Sequence, residues 1–281
     1  MKHGFLVGTH RSGTTWLGGL LSHGPSVAYW EEPRQVWTYR NWRGDSDRLD
    51  AADASPAVRR HIRRRFAGFA ANRGKDYFVE KTPSNCFRVP FMHAVFPEGK
   101  FILLVRDGRG VIRSTDELVA KGPDANRIWS RLTESTVSEL PAVAMRLPWL
   151  IQKAMGRPMK SWGVRPPGWR DWPDDLDPLQ FAARQWAASI NAAVAGFETL
   201  PEDQKIVVRH EDLVRNAETE MRRLTDFLQL PPSDADAVVS RAVDSADPAT
   251  LQKWRRQWTD AELERIEPLA RPTVESLGYD W

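Results

Sequence analysis

The sequence predicts an α/β protein of three layers: a central, mostly parallel sheet with helices on both faces and an inserted helical lid. Three observations predict it. Short apolar stretches of strand length alternate with longer ones whose apolar residues recur at helical spacing, the rhythm of strand–helix–strand units. One of them, Phe101-Ile102-Leu103-Leu104-Val105, is apolar without interruption, which suits a strand buried on both faces of a parallel sheet. The first, Gly4-Phe5-Leu6-Val7, passes through a turn bounded by Gly8 and Gly13 into an apolar helix, Trp16-Leu17-Gly18-Gly19-Leu20-Leu21.

Ser26-Val27-Ala28-Tyr29-Trp30 reads as the second strand, stopped by Pro33 after Glu31-Glu32. Residues 43–55 are polar and predict a loop. Pro56 opens a helix to residue 71, with Val58, Ile62, Phe66 and Phe69 at core spacing. Its arginines, Arg59, Arg60, Arg63, Arg64 and Arg65, read as a solvated face rather than a polyanion grip. Tyr77-Phe78-Val79-Glu80-Lys81 is the third strand, ending in a charged turn, and Phe87–Phe96 a short helix. The apolar run 100–105 is the fourth strand, leading through Gly108 and Gly110 into another helix. Residues 121–178 interrupt the rhythm with many prolines and five tryptophans, Trp129, Trp149, Trp162, Trp169 and Trp172, and predict the inserted lid. A long helix over 178–200 leads to strand Lys205-Ile206-Val207-Val208-Arg209, and His210 opens an amphipathic helix through Leu228. Thr259 and Glu262 stand in capping-box register before a last helix. Residues 1–281 read as a single domain.

Composition narrows the function. Lys and Arg number 40 against 37 Asp and Glu, a net charge of +3, which favours anionic ligands but is too small for a nucleic-acid surface. The single cysteine, Cys86, excludes an intrachain disulfide framework and suits a reducing compartment, and the six histidines lack metal-ligand spacing, so no metal is expected. The first strand begins too early for a signal peptide and no apolar run is long enough to span a bilayer, so a cytoplasmic protein is expected.

The glycine-bounded turn is an anion cradle. Its glycines permit backbone torsions and close approaches that a Cβ forbids, so successive N–H groups can face an anion at the positive end of a helix. The cradle is P-loop-like, yet the nucleotide-triphosphatase loop places Lys directly after its second glycine, and here that position is Thr14, with the cation earlier as Arg11. A donor with one 5′-phosphate fits better than a triphosphate. Ligands of such sheets lie beyond the carboxyl ends of the strands, and Arg11, Glu31/Glu32, Lys81 and Arg106 all fall there. Arg106 follows a buried strand and can be held for bidentate phosphate contact, with Ser114 eight residues later adding a hydroxyl.

Gly-Thr-His-Arg-Ser-Gly-Thr-Thr-Trp-Leu resembles the 5′-phosphosulfate loop of sulfotransferases that use 3′-phosphoadenosine 5′-phosphosulfate (PAPS), in the Arg-Ser-Gly-Thr-Thr form of the large bacterial group and the tyrosylprotein enzymes. Val105-Arg106-Asp107-Gly108 with Ser114 resembles the 3′-phosphate motif. Glu80-Lys81-Thr82-Pro83 resembles a stretch of the heparan-type enzymes, and Arg209-His210-Glu211-Asp212-Leu213 and Lys253-Trp254-Arg255 resemble later family segments. The resemblance implies PAPS as co-substrate, without metal. Ser12, Gly13, Thr14 and Thr15 would hold the 5′-phosphate, Arg106 and Ser114 the 3′-phosphate, and Arg11 and Lys81 the charge that develops on transfer. Glu32, 21 residues after Arg11, has the spacing of the tyrosylprotein enzymes' general base. Glu31 is the fallback: neighbours on a strand face opposite sides, so only one of the two should enter the cleft. His10 is a third candidate.

Cytosolic members carry a histidine base in a Lys-x-His segment and a C-terminal Arg-Lys-Gly clamp. This chain has Lys81-Thr82-Pro83 in the first place, and Lys253 and Arg255 stand in for the second. Trp254 reads as packing rather than adenine stacking. A small-molecule, carbohydrate or peptide hydroxyl is the expected acceptor. An ATP- and Mg²⁺-dependent phosphotransferase and an inert nucleotide-binding protein are the competing readings.

Overall fold

The computed structural model of the chain describes residues 1–121, 135–136, 139 and 163–281. Five strands, β1 (Lys2–Val7), β2 (Val27–Glu31), β3 (Tyr77–Lys81), β4 (Lys100–Val105) and β5 (Lys205–Arg209), form one sheet in the order β2-β3-β1-β4-β5. Every pairing in it is parallel. The connecting α-helices are α1 (Thr14–Leu21), α2 (Arg34–Trp37), α3 (Pro56–Ala71), α4 (Val89–Val95), α5 (Gly108–Lys121), α6 (Pro178–Glu198), α7 (His210–Arg215), α8 (Ala217–Leu228), α9 (Pro232–Ser245) and α10 (Asp260–Ser276).

Alternation along the strands builds two separate cores. Phe5, Val7, Phe78, Phe101 and Leu103 meet Trp37, Phe66, Trp186 and Ile266 on one face, while Leu6, Tyr77, Val79, Ile102 and Leu104 meet Leu17, Met221, Leu224 and Val238 on the other. Burial of each such Leu or Phe contributes about 1.5–3 kcal/mol, so neither face tolerates a register slip. The chain leaves β1 for one side of the sheet and returns to its other side with β4. That reversal opens a crevice beyond the carboxyl end of β1.

Several sequence expectations need correction. The helix expected from His210 to Leu228 is two, broken at Asn216 (φ −125°, ψ 49°), which is not helical. The short helix near Phe87 begins at Val89, after a 3₁₀ turn over Pro83–Phe87. Helix α9 was not expected, because its apolar residues are few. Tertiary contacts hold it instead: Asp234 accepts hydrogen bonds from the backbone N–H and the hydroxyl of Ser26, each at 2.7 Å. The α3 arginines are not simply a solvated face. Arg63 pairs with Glu98 at 2.6 Å, Arg59 donates to the Ala54 carbonyl, and Arg65 donates to the buried Glu139 at 2.8 Å.

Of the expected insertion, Glu139 also meets His61 at 3.0 Å, and Trp169 opens a 3₁₀ turn and donates its indole N–H to the Asp45 carbonyl. Trp129, Trp149, Trp162 and most of the expected lid lie outside the described residues. No described helix is long and apolar enough to cross a membrane.

Candidate active site

The turn between β1 and α1 is built as the sequence requires. Gly13 has φ +97°, and a Cβ there would stand 2.6 Å from Nδ1 of His210. At Gly8 a Cβ would lie 2.8 Å from the Thr14 methyl and 2.9 Å from the Leu104 carbonyl, so the turn is pressed against β4. Ser12 closes it, its N–H and hydroxyl both donating to the Thr9 carbonyl. No side chain caps α1, which leaves its amino end to serve an anion.

Arg11 lies in the left-handed region (φ 66°), which directs its side chain across the crevice, where Nε donates to the Ser114 hydroxyl at 2.8 Å. Arg106 donates to the Arg11 carbonyl at 2.9 Å. The first and fourth strand ends are therefore joined through one residue. Burial, opposed by Glu211 and reinforced by Arg11, lowers the Arg106 guanidinium pKa, though an arginine stays charged.

The second cluster lies at the ends of β2 and β3. Lys81, buried, donates to Oε1 of Glu31 and Oε1 of Glu32, each at 3.2 Å. The other oxygen of Glu32 meets Arg34 at 3.0 Å, and Thr15 donates to Oε1 of Glu31 at 3.0 Å. The expectation that only one of the two glutamates can enter the crevice is therefore corrected. Strand alternation ends at Glu31, and Glu32 turns into the left-handed region (φ 57°), its N–H on the Lys81 carbonyl. Among the described residues four non-glycines have positive φ, and two of them, Arg11 and Glu32, stand in this crevice, where backbone strain commonly marks function. His10 is buried and pushed down to about 4, by burial first and then by Arg34, with Glu32 opposing. A base that weak suits proton abstraction at neutral pH poorly.

Next to Lys81, Glu80 is wholly buried and accepts from the Thr82 hydroxyl and the Asn85 amide. Burial pushes its carboxyl up to about 7.

The carboxyl ends of β4 and β5 carry a further layer that the sequence reading quoted but gave no role. His210 packs on Gly13 and meets the Trp16 ring edge-on, and burial followed by Arg106 pushes it down to about 4. Glu211 accepts from the Asp107 N–H at 3.1 Å and the Tyr279 hydroxyl at 2.7 Å. Their position directly after a strand of a parallel sheet was the available signal. Arg255 borders a cleft of about 240 Å³ with Arg109, Arg209 and Tyr279, whereas Lys253 is exposed on the neighbouring 3₁₀ helix Pro248–Gln257. Trp254 is packing: it is buried, lies against Gly110 and stacks on the Arg109 guanidinium.

A profile of the sulfotransferase family matches residues 5–146 and 151–234. The chain belongs to the sulfotransferase family. Protein-tyrosine sulfotransferase A of Caenorhabditis elegans is 24% identical over 307 residues, an alignment covering 98% of this chain and 67% of that protein. Protein-tyrosine sulfotransferase 1 of Danio rerio is 32% identical over 122 residues, 39% of this chain and 34% of the relative. The human protein-tyrosine sulfotransferase 1 is 29% identical over 142 residues, 46% and 38% of the two chains. The chain thus spans between about a third and two thirds of these relatives' lengths.

Two solved sulfotransferase domains share the fold at 17% identity. That of the curacin biosynthetic pathway superposes with a TM-score of 0.55, covering 99% of this chain and 98% of its own. That of the Synechococcus PCC 7002 olefin synthase gives 0.57, with 100% and 96% covered. The family is that of PAPS-dependent enzymes, and the residues fit that co-substrate: an uncapped helix end, a turn with no room for a Cβ, and the Arg11 guanidinium on the Ser114 hydroxyl with that of Arg106 on the Arg11 carbonyl. Among the described residues no group of three or more His, Cys, Asp or Glu is arranged to hold a metal ion.

Proposed function

We propose that the chain transfers the sulfuryl group of PAPS to an acceptor hydroxyl by in-line displacement, with Glu32 taking the acceptor's proton. The observation that carries this reading is the joining of Arg106 and Ser114 through Arg11, since one molecule bearing phosphates at two ends needs both motifs in one crevice. The N–H groups of Gly13 to Thr15 and the hydroxyls of Thr14 and Thr15 hold the 5′-phosphate, with Ser12, its own N–H on the Thr9 carbonyl, closing the turn around it, and Arg106 and Ser114 hold the 3′-phosphate. Lys253 and Arg255 close on the nucleotide from the C-terminal side. Arg11 and Lys81 neutralise the charge that grows on the transferring and leaving oxygens, the work that Mg²⁺ does in phosphoryl transfer.

Glu32 is assigned the proton because it stands within reach of Lys81 and is held by the backbone beyond β2. The acceptor oxygen attacks sulfur, the bond from sulfur to the 5′-phosphate oxygen breaks, and the proton passes to the carboxylate. In this reading a tyrosine phenol comes first among acceptors, ahead of carbohydrate and small alcohols, with support from the relatives' names. Residues 121–178 serve as the acceptor lid of a single domain. A cytoplasmic setting belongs to the same reading and rests on Cys86, a buried thiol.

The test uses the purified chain with ³⁵S-labelled PAPS and a panel of tyrosine peptides, glycans and alcohols, alongside calorimetry with 3′,5′-ADP. Labelled product and tight 3′,5′-ADP binding are expected. Binding of ATP with Mg²⁺ but not of 3′,5′-ADP would favour a phosphotransferase, and binding without transfer to any acceptor an inert nucleotide binder.

A further inference from the structure

Glu31 and Glu32 share the ammonium of Lys81, but the rest of their surroundings differ. Glu32 is buried against Arg34, whereas the Glu31 side chain is 33% exposed in the crevice. A single oxygen of Glu31, Oε1, accepts both from the Thr15 hydroxyl and from Lys81. Those two donors come from different sides of the crevice: Thr15 from the first turn of α1, Lys81 from the end of β3. They are also groups that the proposed function assigns to anionic oxygens of the donor. A carboxylate oxygen that gathers a helix-start hydroxyl and an ammonium has the charge and the donor set of a bound phosphate or sulfate oxygen.

We infer that Glu31 is a positioning residue: its Oε1 stands in for an oxygen of the donor, holding Thr15 and Lys81 in place until the donor displaces it. This inference rests on the proposed function and deepens it, by separating the work of two adjacent glutamates. Glu32, pinned between Lys81 and Arg34, keeps its place through the reaction cycle. Glu31, whose Oε1 is held by groups the donor also needs, gives those groups up. Two consequences follow. The empty crevice stays ordered and its cations stay neutralised, so that phosphate or chloride competes less for them. Donor binding, in turn, works against a carboxylate of like charge.

The sign of that second consequence sets the test. Glu31→Gln keeps the shape and removes the charge, so 3′,5′-ADP should bind about five-fold tighter or more by calorimetry, the effect of lifting one like charge at contact range in a solvated crevice. The KM for PAPS should fall with it. A residue that only braces the fold would weaken binding when changed. Glu31→Ala should shift 3′,5′-ADP in the same direction and keeps the question decidable if the Gln variant does not fold.

Unchanged or weaker 3′,5′-ADP binding in a folded variant overturns the inference. So does loss of transfer with unchanged 3′,5′-ADP affinity, which would make Glu31 the proton acceptor. Failure of the parent chain to bind 3′,5′-ADP at all would overturn the PAPS reading itself, a result distinct from either.

Discussion

The two halves of the crevice are built on different principles. On the side proposed for the donor, backbone does most of the work: a turn pressed onto β4, an uncapped helix, and Arg106 bonded to the carbonyl of Arg11. On the side proposed for the acceptor, side-chain charges face one another, with Lys81 and Arg34 against Glu31 and Glu32. A backbone cradle recognises the part of a substrate that never varies. A cluster of opposed charges can be retuned by single substitutions.

Four measurements would sharpen that contrast or break it, beginning with the largest effect. Glu32→Gln should reduce transfer by about 10²–10⁴-fold, the range of a lost general base, with 3′,5′-ADP affinity nearly unchanged. Normal turnover would remove Glu32 from the chemistry. On the donor side Gly13→Ala should do the opposite, losing nucleotide binding and about 1–3 kcal/mol of stability from the disallowed torsion and the clash with His210, read by calorimetry and urea unfolding.

Arg106→Ala should weaken 3′,5′-ADP by roughly ten- to a hundred-fold, as for a charge-assisted contact, while saturating PAPS restores much of the rate. An effect on rate alone would mean that Arg106 is not a phosphate reader.

The smallest effect on turnover concerns pH and stability, where three buried histidines and one buried glutamate titrate in opposite directions. His3, His10 and His210 fall from 6.5 to about 4 on folding. Between those values the unfolded chain holds protons that the folded one does not. Stability is therefore lost as pH falls through that window, by about 2 kcal/mol for each histidine at pH 5. Glu80, beside Lys81, rises from 4.5 to about 7, so its contribution is present at low pH and lost as pH rises through 7. It offsets about 2 kcal/mol of the loss at pH 5. Urea unfolding at pH 7 and pH 5 should show a net loss of a few kcal/mol on acidification, enlarged in Glu80→Gln. Greater stability at pH 5 would contradict the burial assigned to these histidines.

The same contrast explains what could be read in the sequence. Strands β1, β3, β4 and β5, helix α3 and the long α6 were legible because an uninterrupted apolar run or a helical repeat leaves few alternatives. The Thr259–Glu262 capping box was legible for the same local reason, and the structure has both of its bonds. The donor turn was legible because a glycine-bounded loop must sit at a strand end. The paired action of Glu31 and Glu32 on Lys81 was not, since nothing local announces that a non-glycine residue takes a left-handed torsion. Helix α9 and the place of His210 against Gly13 were hidden because both depend on partners far along the chain: Ser26 in the one case and the glycine turn in the other.

Residues 277–280 carry one more implication, for how the molecule comes into being. The Leu277 and Gly278 carbonyls bind Arg209, the Tyr279 hydroxyl binds Glu211, and the Asp280 carbonyl binds Arg109 at 2.6 Å. These groups complete the outer wall at β4 and β5. Roughly 260 residues separate the glycine turn from that wall, so the wall follows the turn by on the order of 15–50 seconds at ordinary translation rates. A nascent chain would therefore display an unfinished crevice through that interval.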